Sequence, residues 1–171
     1  MLDLETLGTR NNAVILSIGA VEFDEDTIGS NFYTTLDIDD QLDNYGRTVQ
    51  GNTILFWGEQ SREVWNATVK APVPAWDALL RFSNWMLAES CVWGNGSDFD
   101  NAILGSLYDA VKLPKPWKFS NNRCFRTLKN LGIKLKPGQG IEKSNAHNAL
   151  ADALYQARYA QWYLKNLKET Q

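Results

Sequence analysis

Histidine occurs once in this chain of 171 residues, at position 147, and cysteine only twice, at 91 and 124. Those residues fit neither a zinc knuckle nor a disulfide framework, and a reducing, cytoplasmic setting is the expectation. Long apolar runs are absent too. None approaches the ~20 residues that a membrane-spanning helix needs, and no signal-peptide pattern precedes Asp3, so no membrane association is expected. Basic side chains are scarce in the first half: residues 1–90 carry five Lys/Arg against fourteen Asp/Glu, residues 91–171 twelve against six. A net charge of −3 argues against wrapping a long duplex. A basic stretch with Lys112, Lys115, Lys118, Arg123, Arg126 and Lys129 beside a carboxylate-rich site would suit a short polyanionic end; the plainer reading is two solvated faces of different charge.

What the chain has in quantity is core-forming material. Hydrophobic residues make up 44% and aromatic residues 12%, with seven Trp, enough for one sizeable core; a single domain over 1–171 is expected. Residues 1–4, 11–23 and 29–38 read as strands, the last two joined through DEDTIG (24–29) as a hairpin. Residues 39–52 read as a polar loop. Helical patterns follow at 53–67 and 75–89, the second turning Trp76, Leu79, Leu80, Trp85 and Leu87 inward. CVWG (91–94) reads as a short buried strand, 99–111 as an amphipathic helix and 113–119 as a proline-punctuated connection. Residues 122–132 read as a helix capped by Gly132, 133–146 as a Gly/Lys-rich loop and 147–168 as a long final helix. The fold class expected is α/β, a mixed sheet of an antiparallel three-strand meander plus parallel strands, flanked by helices.

Three acidic segments stand out. In MLDLETLG (1–8), residues i and i+2 share a strand face, so Asp3 and Glu5 point one way and Leu2 and Leu4 the other. Like charges held that close need something positive between them, which a divalent cation supplies; the alternative is a pair of exposed acids on an edge strand. In WGNGSDFDNAIL (93–104), Asp98 and Asp100 are about 200° apart around a helix and cannot aim at one point. Helix capping accounts for Asp98 and leaves Asp100 available. In AHNALADAL (146–154), His147 and Asp152 diverge by about 140° on an ideal helix, so they can meet only if His147 precedes the helix start. The apolar neighbours of Asp152 suggest partial burial, and a buried carboxylate wants a partner.

Asp3-Leu4-Glu5, Phe99-Asp100 and His147-x₄-Asp152, in that order, resemble the three motifs of the DEDDh 3′-5′ exonucleases of the ribonuclease H-like superfamily. The resemblance spans nearly the whole chain and looks closest to the ribonuclease T-like exonucleases common in phages and prophages. One departure is Asn95-Gly96 before Ser97-Asp98-Phe99-Asp100, where proofreading members read H-N-x-x-F-D.

The resemblance implies a ribonuclease H-like sheet and a metal-dependent exonuclease that releases nucleoside 5′-monophosphates from the 3′ end of single-stranded DNA or RNA. It implies that Asp3, Glu5, Asp100 and Asp152 hold two divalent cations, Mg²⁺ or Mn²⁺, a donor set suited to hard ions. His147 would be the general base, an imidazole titrating ordinarily near ~6.5 being suited to that work. Thr6 and Leu7 match the positions that stop the terminal nucleotide, and Phe99 is either a base-stacking residue or a core residue. Many members are dimers, so a homodimer is compatible. Two other readings remain open: a catalytically idle module on the same fold that binds nucleic acid or a protein partner, and an endonuclease of the same superfamily.

Overall fold

Alternation in the first segment is realised as a strand with two unlike faces. The computed structural model of the chain describes residues 1–87, 89–96, 98–131 and 147–169. Strand β1 (Leu2–Thr6) pairs antiparallel with β2 (Ile15–Phe23), which pairs antiparallel with β3 (Ile28–Thr35), so β2 is the central strand. The β2–β3 turn is held by Asp24, whose Oδ1 accepts from the backbone N–H of Asp26 and Thr27.

The segment expected to be a polar loop contains a helix, α1 (Ile38–Tyr45). Its composition is polar, but its ends are well specified: Asp37 accepts from the Asp40 N–H, and Gly46 closes it at φ 60°. Buried Gln41 fastens it to β2, accepting from the Ile15 N–H and donating to the Ile15 carbonyl. The expected helix over 53–67 is two helices, α2 (Gly51–Gly58) and α3 (Arg62–Val69). The second starts at Ser61, whose side chain accepts from the Val64 N–H.

Helix α4 (Ala75–Trp85) buries Ala75, Ala78, Leu79 and Phe82. Of the residues expected to turn inward, Leu79 does and Trp85 packs at the core edge, whereas Trp76, Leu80 and Leu87 are exposed, Leu87 lying beyond the helix end. Strand β4 (Val92–Gly94) leads to α5 (Asp100–Val111), and Trp117 follows in the connection. The stretch expected as one helix over 122–132 begins instead with strand β5 (Asn122–Cys124), parallel to β4, and then forms a short helix α6 (Phe125–Lys129). The Gly132 cap and the 133–146 loop lie outside the described residues. The last helix, α7, runs over Ala149–Glu169.

The sheet face carrying Leu2, Leu4, Ile18 and Ala20 packs on Leu79, Phe82, Ile103, Leu104 and Tyr108 of α4 and α5. Against the other face lies α7, with Ala153, Ala157 and Ala160 packed on Val21, Phe125 and Leu128. Helices on both faces of the strands make the α/β class plain, with the meander and the parallel pair as two separate ladders and β1 in contact with β4. Among the described residues no helix is long and apolar enough to cross a membrane.

Candidate active site

Register decides what stands beside Asp3. Residues directly opposite in an antiparallel pair share a face, and Asp3 is opposite Gly19 while Glu5 is opposite Ser17. That face is the one α7 covers. A Cβ at Gly19 would lie 2.1 Å from the carbonyl carbon of Ala149 and 2.2 Å from the Leu150 nitrogen, so only glycine admits the helix start this close. Ala149, Ala153, Ala157 and Ala160, all wholly buried, continue the close approach along α7. The helix thereby carries Asp152 to β1: carboxylate oxygens of Asp3, Glu5 and Asp152 lie within 4.8 Å of one another. Glu5 and Asp152 are buried, at 8% and 7% exposure. One turn farther along α7, Gln156 donates from Nε2 to Asp3 Oδ1 at 2.6 Å.

Asp100, the first residue of α5, is 1% exposed and enters from the β4 side. Its Oδ1 accepts from the Leu4 N–H at 3.1 Å and its Oδ2 from the Asn95 N–H at 2.7 Å. The carboxylate therefore ties the edge of β1 to the end of β4. Gly94 makes room for it, since a Cβ there would sit 2.6 Å from Asn101 Oδ1 and 3.1 Å from Asp100 Oδ2. Asp98 is exposed, and the residue at the α5 N-cap is Phe99, which makes no side-chain capping bond.

Electrostatics at this cluster run one way. Burial, and then the charges of Asp100, Glu5 and Asp152, hold the Asp3 carboxyl well above its ordinary range; the Gln156 hydrogen bond pulls the other way. Burial pushes Asp100 up to about 6, against its backbone N–H donors and the Arg126 guanidinium. Four acids gathered in poorly hydrated space are destabilising as anions unless a cation compensates them. Their all-oxygen donor set suits Mg²⁺ or Mn²⁺, so the residues present fit the ions expected from the motifs.

His147 precedes the helix. Asn148 caps α7, its side chain accepting from the Ala151 N–H, and His147 sits just before it at φ 63°. Its ring packs edge-on to Phe56, with centroids 5.0 Å apart, and to Trp57 at 6.3 Å. Its carbonyl accepts from Thr68 Oγ1.

A cleft of about 380 Å³ is lined by Asp3, Glu5, Thr6, Phe99, His147 and Asp152 together with Asn52, Thr53, Phe56 and Trp57 of α2. Six residues singled out in sequence thus share one cavity. Phe99 lines the cleft and also packs on the core edge. Leu7 does not line the cleft; it is buried with Val14, Leu16 and Trp57. Asp100 is not among the residues lining the cleft and lies outside the group whose oxygens come within 4.8 Å.

The α2 wall and Gln156 were not anticipated. Trp57 is fixed to the end of β1 by donating Nε1–H to the Thr6 carbonyl at 2.9 Å. Gln50 adds a second tie, its Oε1 accepting from the Thr9 N–H. Gln156 follows Asp152 by four residues, the spacing of one helix face, which is the signal that could have found it. In the basic stretch, Lys115 pairs with Asp109 and Lys118 with Glu89, so part of its charge is met by acids on the surface.

A family model described as the 3′-5′ exoribonuclease Rv2179c-like domain matches residues 1–164. No curated protein matches the chain.

Proposed function

The chain belongs to the 3′-5′ exoribonuclease Rv2179c-like family, and we propose that it shortens single-stranded RNA from its 3′ end, releasing nucleoside 5′-monophosphates. The observation that carries this reading is the convergence of Asp3, Glu5 and Asp152, from the two ends of the chain, to within 4.8 Å. We assign the fold to the ribonuclease H-like class and the site to its DEDDh type. The antiparallel meander, the parallel β4–β5 pair and the order of the motifs support both assignments.

In this reading Asp3, Glu5, Asp152 and Asp100 would hold two Mg²⁺ or Mn²⁺ ions. Such a pair, when bound, supplies the positive charge that activates water and stabilises the departing 3′ oxygen. The protein's own groups do the rest. His147 takes the proton from the attacking water, standing at the cleft with its ring edge-on to Phe56 and Trp57. Phe99 and Phe56 offer apolar surface to the terminal base, and base–aromatic contact contributes ~1–3 kcal/mol without reading sequence. Thr6, which lines the cleft, stops the terminal nucleotide, and buried Leu7 packs in the cluster that holds Trp57 in the cleft wall.

Matched 5′-labelled RNA and DNA strands incubated with Mg²⁺ or Mn²⁺ test this. The expected result is stepwise shortening of RNA from the 3′ end, stopped by a chelator, with a covalently closed RNA circle left intact. Cutting of the circle, or shortening that ignores the chelator, would overturn the proposal.

A further inference from the structure

Gln156 is 5% exposed, and among the described residues its side chain makes one hydrogen bond, from Nε2 to Asp3 Oδ1 at 2.6 Å. Its Oε1 is buried and has no hydrogen-bond partner among the described residues. An amide oxygen buried without a partner is destabilising and offsets part of what the bond to Asp3 contributes, so stability alone is a weak reason for glutamine at this position. Among the described residues, Asp3 in turn receives no other side-chain or backbone hydrogen bond at its carboxylate than this one. The charges of Asp100, Glu5 and Asp152 also act on that carboxylate, all of them repelling its negative charge.

Resting on the cation-binding reading above, we propose that Gln156 is a positioning residue: it locks the Asp3 carboxylate in one rotation and leaves its remaining lone pairs to a divalent cation. A neutral amide suits this task better than a charged donor. Lysine in the same place would neutralise Asp3 and compete with the cation, whereas an amide donates while the full negative charge stays available. The spacing from Asp152 means that one helix face supplies both a ligand and the group that orients another ligand, so α7 docking sets both together. Groups that orient metal ligands contribute about 10- to 100-fold in affinity or activity.

Mn²⁺ binding by calorimetry, with the thermal midpoint of the metal-free protein measured alongside, tests the proposal on wild type, Gln156→Met and Gln156→Lys. Methionine should lower the metal-free midpoint, because buried Asp3 loses its one hydrogen-bond donor, and should weaken Mn²⁺ binding by about 10- to 100-fold at temperatures well below that midpoint, where the variant is fully folded. Lysine should abolish Mn²⁺ binding while the metal-free fold is kept through pairing with Asp3. Wild-type Mn²⁺ affinity in the methionine variant would overturn the inference, and so would a loss that disappears at temperatures where both variants are fully folded. If wild type itself takes up no Mn²⁺, the proposed function fails and the inference falls with it.

Discussion

Asp3 lies directly across the β1–β2 ladder from Gly19, and the missing side chain of the glycine is what admits the start of α7 above the aspartate. Gly19→Ala places a methyl within 2.4 Å of the Ala149 backbone, and backbone cannot rotate away as a side chain would. The expected cost is about 3 kcal/mol or more of stability. Asp152 should also be carried away from Asp3 and Glu5. Chemical denaturation with Mn²⁺ calorimetry checks both; a variant that keeps wild-type stability and affinity would show that α7 docks elsewhere.

His147→Ala should reduce turnover by ~10²–10⁴-fold while Mn²⁺ affinity stays within a few fold of wild type. The separation matters because His147 packs on Phe56 and Trp57 and lies outside the carboxylate group. Single-turnover cleavage under saturating Mn²⁺ measures the first quantity. Turnover near wild type would remove His147 from the chemistry.

Asp152→Asn should do the reverse of an ordinary destabilising change. One negative charge leaves a cluster in which Asp152 raises the Asp3 carboxyl, so the metal-free protein should melt at a higher temperature. Mn²⁺ binding and activity should both fall to background. A lower midpoint with retained activity would contradict the electrostatic account of the site.

The pH dependence of stability has a definite sign. Asp100 is shifted up to about 6 and Asp3 well above its ordinary range, so the folded state holds protons that the unfolded chain has already released. For Asp100 the stabilising effect is fully present below about pH 4 and is lost as pH rises to about 6; Asp3, raised in the same direction, adds a decline of the same sign. The metal-free midpoint, corrected for other groups by comparison with Asp100→Asn, should fall across that window. Mn²⁺ should raise the midpoint far more at pH 7.5 than at pH 5, because protons and cation compete for the same oxygens. Equal Mn²⁺ stabilisation at both pH values would argue that these acids are not the ligands.

Local rules made part of this site legible. Period-two alternation put Asp3 and Glu5 on one face, and the angle between His147 and Asp152 required a helix start after residue 147, where Asn148 provides the cap. Tertiary contacts hid the rest. Helix α1 has few apolar residues to announce it, and the bond from Gln41 to Ile15 has no signature in local sequence. Strand β5 is three residues long and exists because β4 lies beside it. The α2 wall of the cleft depends on Trp57 reaching the Thr6 carbonyl across a gap of 51 positions. The inward face assigned to α4 failed for Trp76 and Leu80 because small Ala75 and Ala78 take the buried positions instead.

The most direct test is anomalous scattering from crystals of the wild-type protein grown with Mn²⁺ at neutral pH. The account predicts strong Mn²⁺ peaks between β1 and α7, in reach of Asp3, Glu5 and Asp152, and their loss in Asp152→Asn. Fully loaded crystals with no peak there, or with the three carboxylates turned apart, would contradict it.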